Sequence, residues 1–132
     1  MSMFWSVLAV ATFNLVCAQT TITDSFSGKS KETRNTIYRL DLDRKIYCSE
    51  DCKATFPIAK VDPTKLWLRD EKVDSPSEHV LDYLLIDRET GQLSGAYTHS
   101  NPRDRMSIMI IDYQGQCERA DFTGFPTFQT KF

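Results

Sequence analysis

Histidine is almost missing from this chain: His79 and His99 are the only two in 132 residues. Any imidazole base or metal ligand working near neutral pH must therefore be one of them. The sequence also lacks a phosphate loop, a nucleophile elbow, a metal-binding helix motif and an EF-hand loop, and nothing in it calls for a cofactor. Asn14, Asn35 and Asn101 are not followed by the pattern that accepts an N-linked glycan. An excess of charge of one sign is missing as well. Sixteen basic and eighteen acidic residues are mixed along the chain for a net charge of −2, which gives no electrostatic case for nucleic acid or an anionic membrane surface. After the start of the chain, no apolar run approaches the roughly 20 residues of a membrane-spanning helix.

The start is different. Met1–Ala18 carries no Lys, Arg, Asp or Glu, and Phe4–Leu15 is mostly apolar. Val16-Cys17-Ala18 puts modest or small side chains at the −3 and −1 positions, so residues 1–18 read as a signal peptide cut before Gln19. The protein is then expected to be secreted and extracellular. Cys17 would leave with the leader, and Cys48, Cys52 and Cys117 would remain. Three cysteines in an oxidising compartment imply one intramolecular disulfide and one leftover thiol, or a covalent dimer through the unpaired cysteine. A bridge to Cys117 would gain most in chain entropy, whereas a Cys48–Cys52 bridge is favoured by proximity. The sequence leaves the pairing open.

The clearest local signal is Val80–Ser100. Two apolar runs flank Asp87-Arg88-Glu89-Thr90-Gly91, with Gly91 placed for the positive φ of a tight loop. Leu93 and Tyr97 continue an alternating face through Gly95, which suggests a bulge or a close backbone approach. A β-hairpin turning at Glu89–Gly91 is the expected result. Residues 76–87 have a helical alternative, because Ser75-Pro76-Ser77-Glu78 looks like a capping box followed by Val80, Leu81, Leu84 and Leu85 on one face. Leu84-Leu85-Ile86, apolar on both faces and followed by a matching return arm, argues for strand.

Similar patterns recur. Tyr38, Leu40 and Leu42 alternate with Arg39, Asp41 and Asp43; Leu66 and Leu68 stand opposite Trp67; Met106–Tyr113 is a further apolar strand. Leu42-Asp43-Arg44, Ile86-Asp87-Arg88 and Ile111-Asp112-Tyr113 each place an aspartate after an apolar run, where its side chain can cap a turn. Pro57 and Pro63 keep their segments from being central strands. The expected fold is all-β, with at most one short helix: an antiparallel meander forming a small sandwich or barrel. Its divisions are a flexible lead-in over 19–35, a single β-domain over 36–121 and a Phe-rich tail over 122–132.

Function is less legible. His79 and His99 sit near the open end of the expected hairpin, with Glu78, Asp82 and Asp104 close in sequence, so a metal site or an acid/base pair is conceivable there. Two exposed loop histidines explain the same residues more simply, and a disulfide explains Cys117 better than a thiol nucleophile does. In the tail, Phe122, Phe125, Phe128 and Phe132 can close the end of the sheet or contact a partner or an apolar ligand. The leading expectation is a non-enzymatic β-domain acting as an extracellular interaction or effector protein, with an unidentified protein partner. The alternative is a carrier holding an apolar small molecule inside a curled sheet, and a small hydrolase using His79 or His99 comes third.

Overall fold

A computed structural model describes residues 11–126 of the chain, with the backbone alone at 105 and 106. Among these residues there is no helix. The backbone forms nine strands: β1 (Thr12–Ser25), β2 (Gly28–Asp41), β3 (Ile46–Ser49), β4 (Phe56–Pro57), β5 (Lys60–Val61), β6 (Lys65–Asp74), β7 (His79–Asp87), β8 (Gln92–Asn101) and β9 (Asp104–Ala120). They make one antiparallel sheet in the order β4-β3-β2-β1-β9-β8-β7-β6-β5.

That order dictates the shape. The two edge strands, β4 and β5, are separated in the chain only by Ile58 and Ala59. Edges so close in sequence can belong to one sheet only if the sheet curls round, and it does so into a half-barrel. Pro57 falls on an edge strand, where its missing N–H leaves no gap in the ladder. Ile58 turns inward and is buried, while its N–H donates to the Lys45 carbonyl at 2.8 Å.

Alternation gives the half-barrel its core. Phe13, Leu15 and Cys17 from β1 meet Tyr38 and Leu40 from β2, Leu66 and Leu68 from β6, Leu84 and Ile86 from β7, Leu93 from β8 and Cys117 from β9. A bulge between Trp67 and Arg69 turns Arg69 to the same side as its partner Leu84. On the outer side, Trp67 packs against Tyr83 with ring centroids 6.4 Å apart.

The central hairpin forms as the sequence implies. Asp87 Oδ1 accepts from the amides of Glu89 and Thr90 at 2.8 and 3.1 Å, and Gly91 adopts φ 77° as its N–H returns to the Asp87 carbonyl. Gly95 is a close approach: a Cβ there would lie 2.5 Å from the Tyr83 carbonyl oxygen. The capping-box motif at Ser75 serves a different purpose. Ser75 Oγ donates to the Glu78 carbonyl and accepts from the Glu78 amide, both at 3.1 Å, which closes the β6–β7 turn instead of opening a helix. Of the other two expected aspartate turns, one is displaced and one is absent. Asp41, not Asp43, accepts from Arg44 N at 3.0 Å, and Asp112 lies within β9.

Two differences concern the ends. The stretch read as a lead-in over 19–35 belongs to the long β1–β2 hairpin, and the boundary expected after Ala18 falls inside β1. The physical reason is that β1 is a central strand, paired along its length with β2 and through Asn14–Ser25 with β9. The cysteine expectation is overturned. Cys17 stands opposite Cys117 in the β1–β9 ladder and is bonded to it, and Cys48 is bonded to Cys52. All four cysteines are thus paired within the chain, and no unpaired cysteine remains to make a covalent dimer. Two disulfides mark a protein that matures in an oxidising environment. Among the described residues no helix is long and apolar enough to cross a membrane.

Candidate functional site

The inside of the half-barrel divides into an occupied polar layer and an open mouth. In the polar layer Arg69 Nε donates to Asp82 Oδ1 at 3.0 Å, and its guanidinium lies 5.4 Å from the Tyr113 ring centroid. Tyr38 donates its hydroxyl proton to Gln19 Oε1 at 2.8 Å. Burial pushes the Tyr38 hydroxyl up to about 12, against the opposing pull of the Arg69 charge. Burial also raises Tyr47, again opposed by Arg69. Arg69 is paired with Asp82 and Tyr38 with Gln19, so the layer is a polar brace of the barrel.

The mouth lies at the end where the β7–β8 turn meets the last residues of β9. A cleft of about 350 Å³ opens there, floored by Phe13, Leu15, Leu66 and Ile86 and rimmed by Asp87–Gly91, Cys117 and Arg119. Each floor residue is buried by the alternation that makes its strand. Two bonds hold the rim in place: the Cys117 N–H donates to the Gly91 carbonyl at 2.8 Å, and Gln116 Nε2 donates to the Thr90 carbonyl. Its charged groups differ in their engagement. The Glu89 and Thr90 amides hold the Asp87 carboxyl below the usual carboxylate range, and Arg88 donates to the Asp62 carbonyl at 2.8 Å. Arg119, on the inner side of β9 by its alternation with Cys117, holds its guanidinium 4.9 Å from the centroid of the Phe13 ring.

The residues singled out from sequence are not gathered at this mouth. Val80 pairs with His99 and His79 with Ser100, so the two imidazoles project from opposite faces of the sheet. Each has its own carboxylate: His79 Nδ1 lies 2.7 Å from Asp74, and His99 Nε2 lies 3.5 Å from Glu78. Among the described residues no group of three or more His, Cys, Asp or Glu side chains could hold a metal ion. Cys117 is in a disulfide and cannot serve His99 as a thiol nucleophile. Cys48 and Cys52 pin the loop after β3, in which Glu50 and Cys52 take positive φ.

In the tail, Phe122 and Phe125 are half-buried and meet edge to face at 5.2 Å, while Phe128 and Phe132 lie outside the described residues. The segment between them is tied to β1 and β2. Asn14 Nδ2 donates to Thr123 Oγ1 at 3.0 Å, and Arg39 donates to the Gly124 carbonyl at 2.9 Å.

Sequence reasoning missed Phe13, Leu15 and Arg119. The first two stood in a stretch assigned to a leader, although Phe13, Leu15 and Cys17 already alternate as a strand does. For Arg119 the sequence holds no signal, because its place over Phe13 depends on the pairing of β1 with β9. No protein-family model, curated protein or solved structure matches the chain.

Proposed function

We propose that the protein is a secreted, non-catalytic carrier that seats a small ligand with an apolar portion in the mouth of its half-barrel. The observation that carries this reading is the cleft of about 350 Å³ over Phe13, Leu15, Leu66 and Ile86. Its volume lies near the lower end of the ~300–1,000 Å³ common for ligand pockets, and an apolar floor under a polar rim is their usual construction. Secretion is supported by the two disulfides and by the uncharged start of the chain. β1 uses residues from Thr12 onward, so a leader whose removal leaves β1 whole would be cut upstream of it.

Native mass spectrometry of the protein recovered from secreting cells tests the carrier reading. One small molecule retained per chain, released on unfolding, is the expected result. A bare polypeptide mass, together with no uptake of a neutral apolar dye, would overturn it.

A second reading, a surface that meets a protein partner, is favoured by one observation. Leu81 and Ile110 both pair with Thr98, so they share the outer face of β7–β9, and both are exposed along with Ile108.

A further inference from the structure

We propose that the ligand of the cleft is an amphipathic monoanion, whose apolar body lies on the floor and whose carboxylate-type head is held by Arg119. This rests on the cleft being the ligand seat and adds the chemistry that the seat selects.

Four charged residues line the mouth: Asp87, Arg88, Glu89 and Arg119. Their formal charges cancel, so selectivity depends on which of them is left unengaged. Asp87 already accepts from two backbone amides of its own turn, and Arg88 already donates to the Asp62 carbonyl. Glu89 and Arg119 are both exposed, but Glu89 stands at the tip of that turn whereas Arg119 lies over the Phe13 ring of the floor. Arg119 lines the mouth with its guanidinium carbon over the Phe13 ring, and among the described residues it forms no ion pair. Stacking on the ring orients the guanidinium without consuming its hydrogen-bond donors. Five N–H donors in a planar fork match the two oxygens of a carboxylate, and this pairing is stronger than a hydrogen bond between neutral groups. Phe13 therefore has two roles: its ring belongs to the apolar floor and also positions the cation at the edge. A ligand reaching from floor to rim would be apolar at one end and anionic at the other. The restricted volume favours a short chain over a long lipid.

The test compares octanoate with octanol on the full, disulfide-intact chain at neutral pH, following backbone amide shifts. The two probes share an apolar body and differ in the charged head. Octanoate should bind about tenfold more tightly, the worth of one charge-assisted contact at a wet rim, and should shift the amides of Asp87–Gly91 and Arg119. Arg119→Gln should reduce octanoate to the affinity of octanol, while Arg119→Lys should keep part of the preference. Equal affinity of the unaltered protein for both probes would overturn the anion assignment and leave the carrier reading standing. So would a preference that survives in Arg119→Gln. Binding of neither probe would overturn both. If a variant fails to fold, the amide shifts of the unaltered protein still decide: octanoate that moves Arg88 and leaves Arg119 unmoved, relative to octanol, would overturn the assignment.

Discussion

Tyr38 shows how one side chain links the barrel wall to its polar interior. Its ring belongs to the apolar core, and its hydroxyl reaches Gln19 where solvent cannot compensate for an ionised phenol. Burial therefore raises it from 10.0 to about 12. The sign of the pH effect follows. Below the ordinary tyrosine range both folded and unfolded chains keep the proton, so the contribution of Tyr38 is fully present. As pH rises from about 10 toward about 12, the unfolded chain loses its proton first and stability falls. Phenolate absorbance should show Tyr38 ionising later than a free tyrosine, with the melting temperature dropping across the same interval. Ionisation of all five tyrosines in the ordinary range, with the fold intact, would contradict the buried placement. Arg69 belongs to the same argument. Its approach to Tyr47, Tyr113 and Asp82 was invisible in sequence, because the three stand on β3, β9 and β7, far from it along the chain.

At the scale of elements, the two disulfides differ in what they constrain. Cys17–Cys117 closes a separation of 100 residues across the two central strands, whereas Cys48–Cys52 closes a separation of 4. In the chain-entropy account the first contributes about 4.7 kcal/mol and the second roughly 2 kcal/mol. Replacing Cys17 and Cys117 together by Ala should thus cost clearly more in urea denaturation than replacing Cys48 and Cys52. Equal losses would mean that the long bridge does not restrain the unfolded chain.

The same elements show what could be read from sequence. The β7–β8 hairpin was legible because its turn chemistry is local: Asp87 caps, Gly91 takes positive φ, and the arms alternate. The β6 strand was legible from Leu66 and Leu68 alone, although its bulge was not. β1 was misread for a physical reason. Both a leader and a central strand ask for uncharged, apolar residues, and Phe13, Leu15 and Cys17 satisfy both demands. That one misassignment carried through to the cysteine count and hid half of the cleft floor. The mismatch at Asp43 is of a smaller kind, since either of two aspartates two residues apart could cap the β2–β3 turn.

For the whole molecule, the arrangement rests on β1. It joins the meander β1–β4 to the meander β5–β9, supplies one end of the long disulfide and contributes Phe13 and Leu15 to the mouth. Without residues 12–18 the Asn14–Ala18 part of the β1–β9 ladder and the cation–π seat of Arg119 would both be lost. A sheet whose edges meet through only Ile58 and Ala59 has no other strand to substitute. The carrier reading therefore depends on the strand assignment. Non-reduced peptide mapping with N-terminal sequencing of the secreted protein addresses both at once. The predicted result is a chain that begins upstream of Phe13, with one cross-linked peptide joining Cys17 to Cys117 and another containing the Cys48–Cys52 bridge. A mature chain that begins at Gln19, with Cys117 recovered as a free thiol, would contradict it.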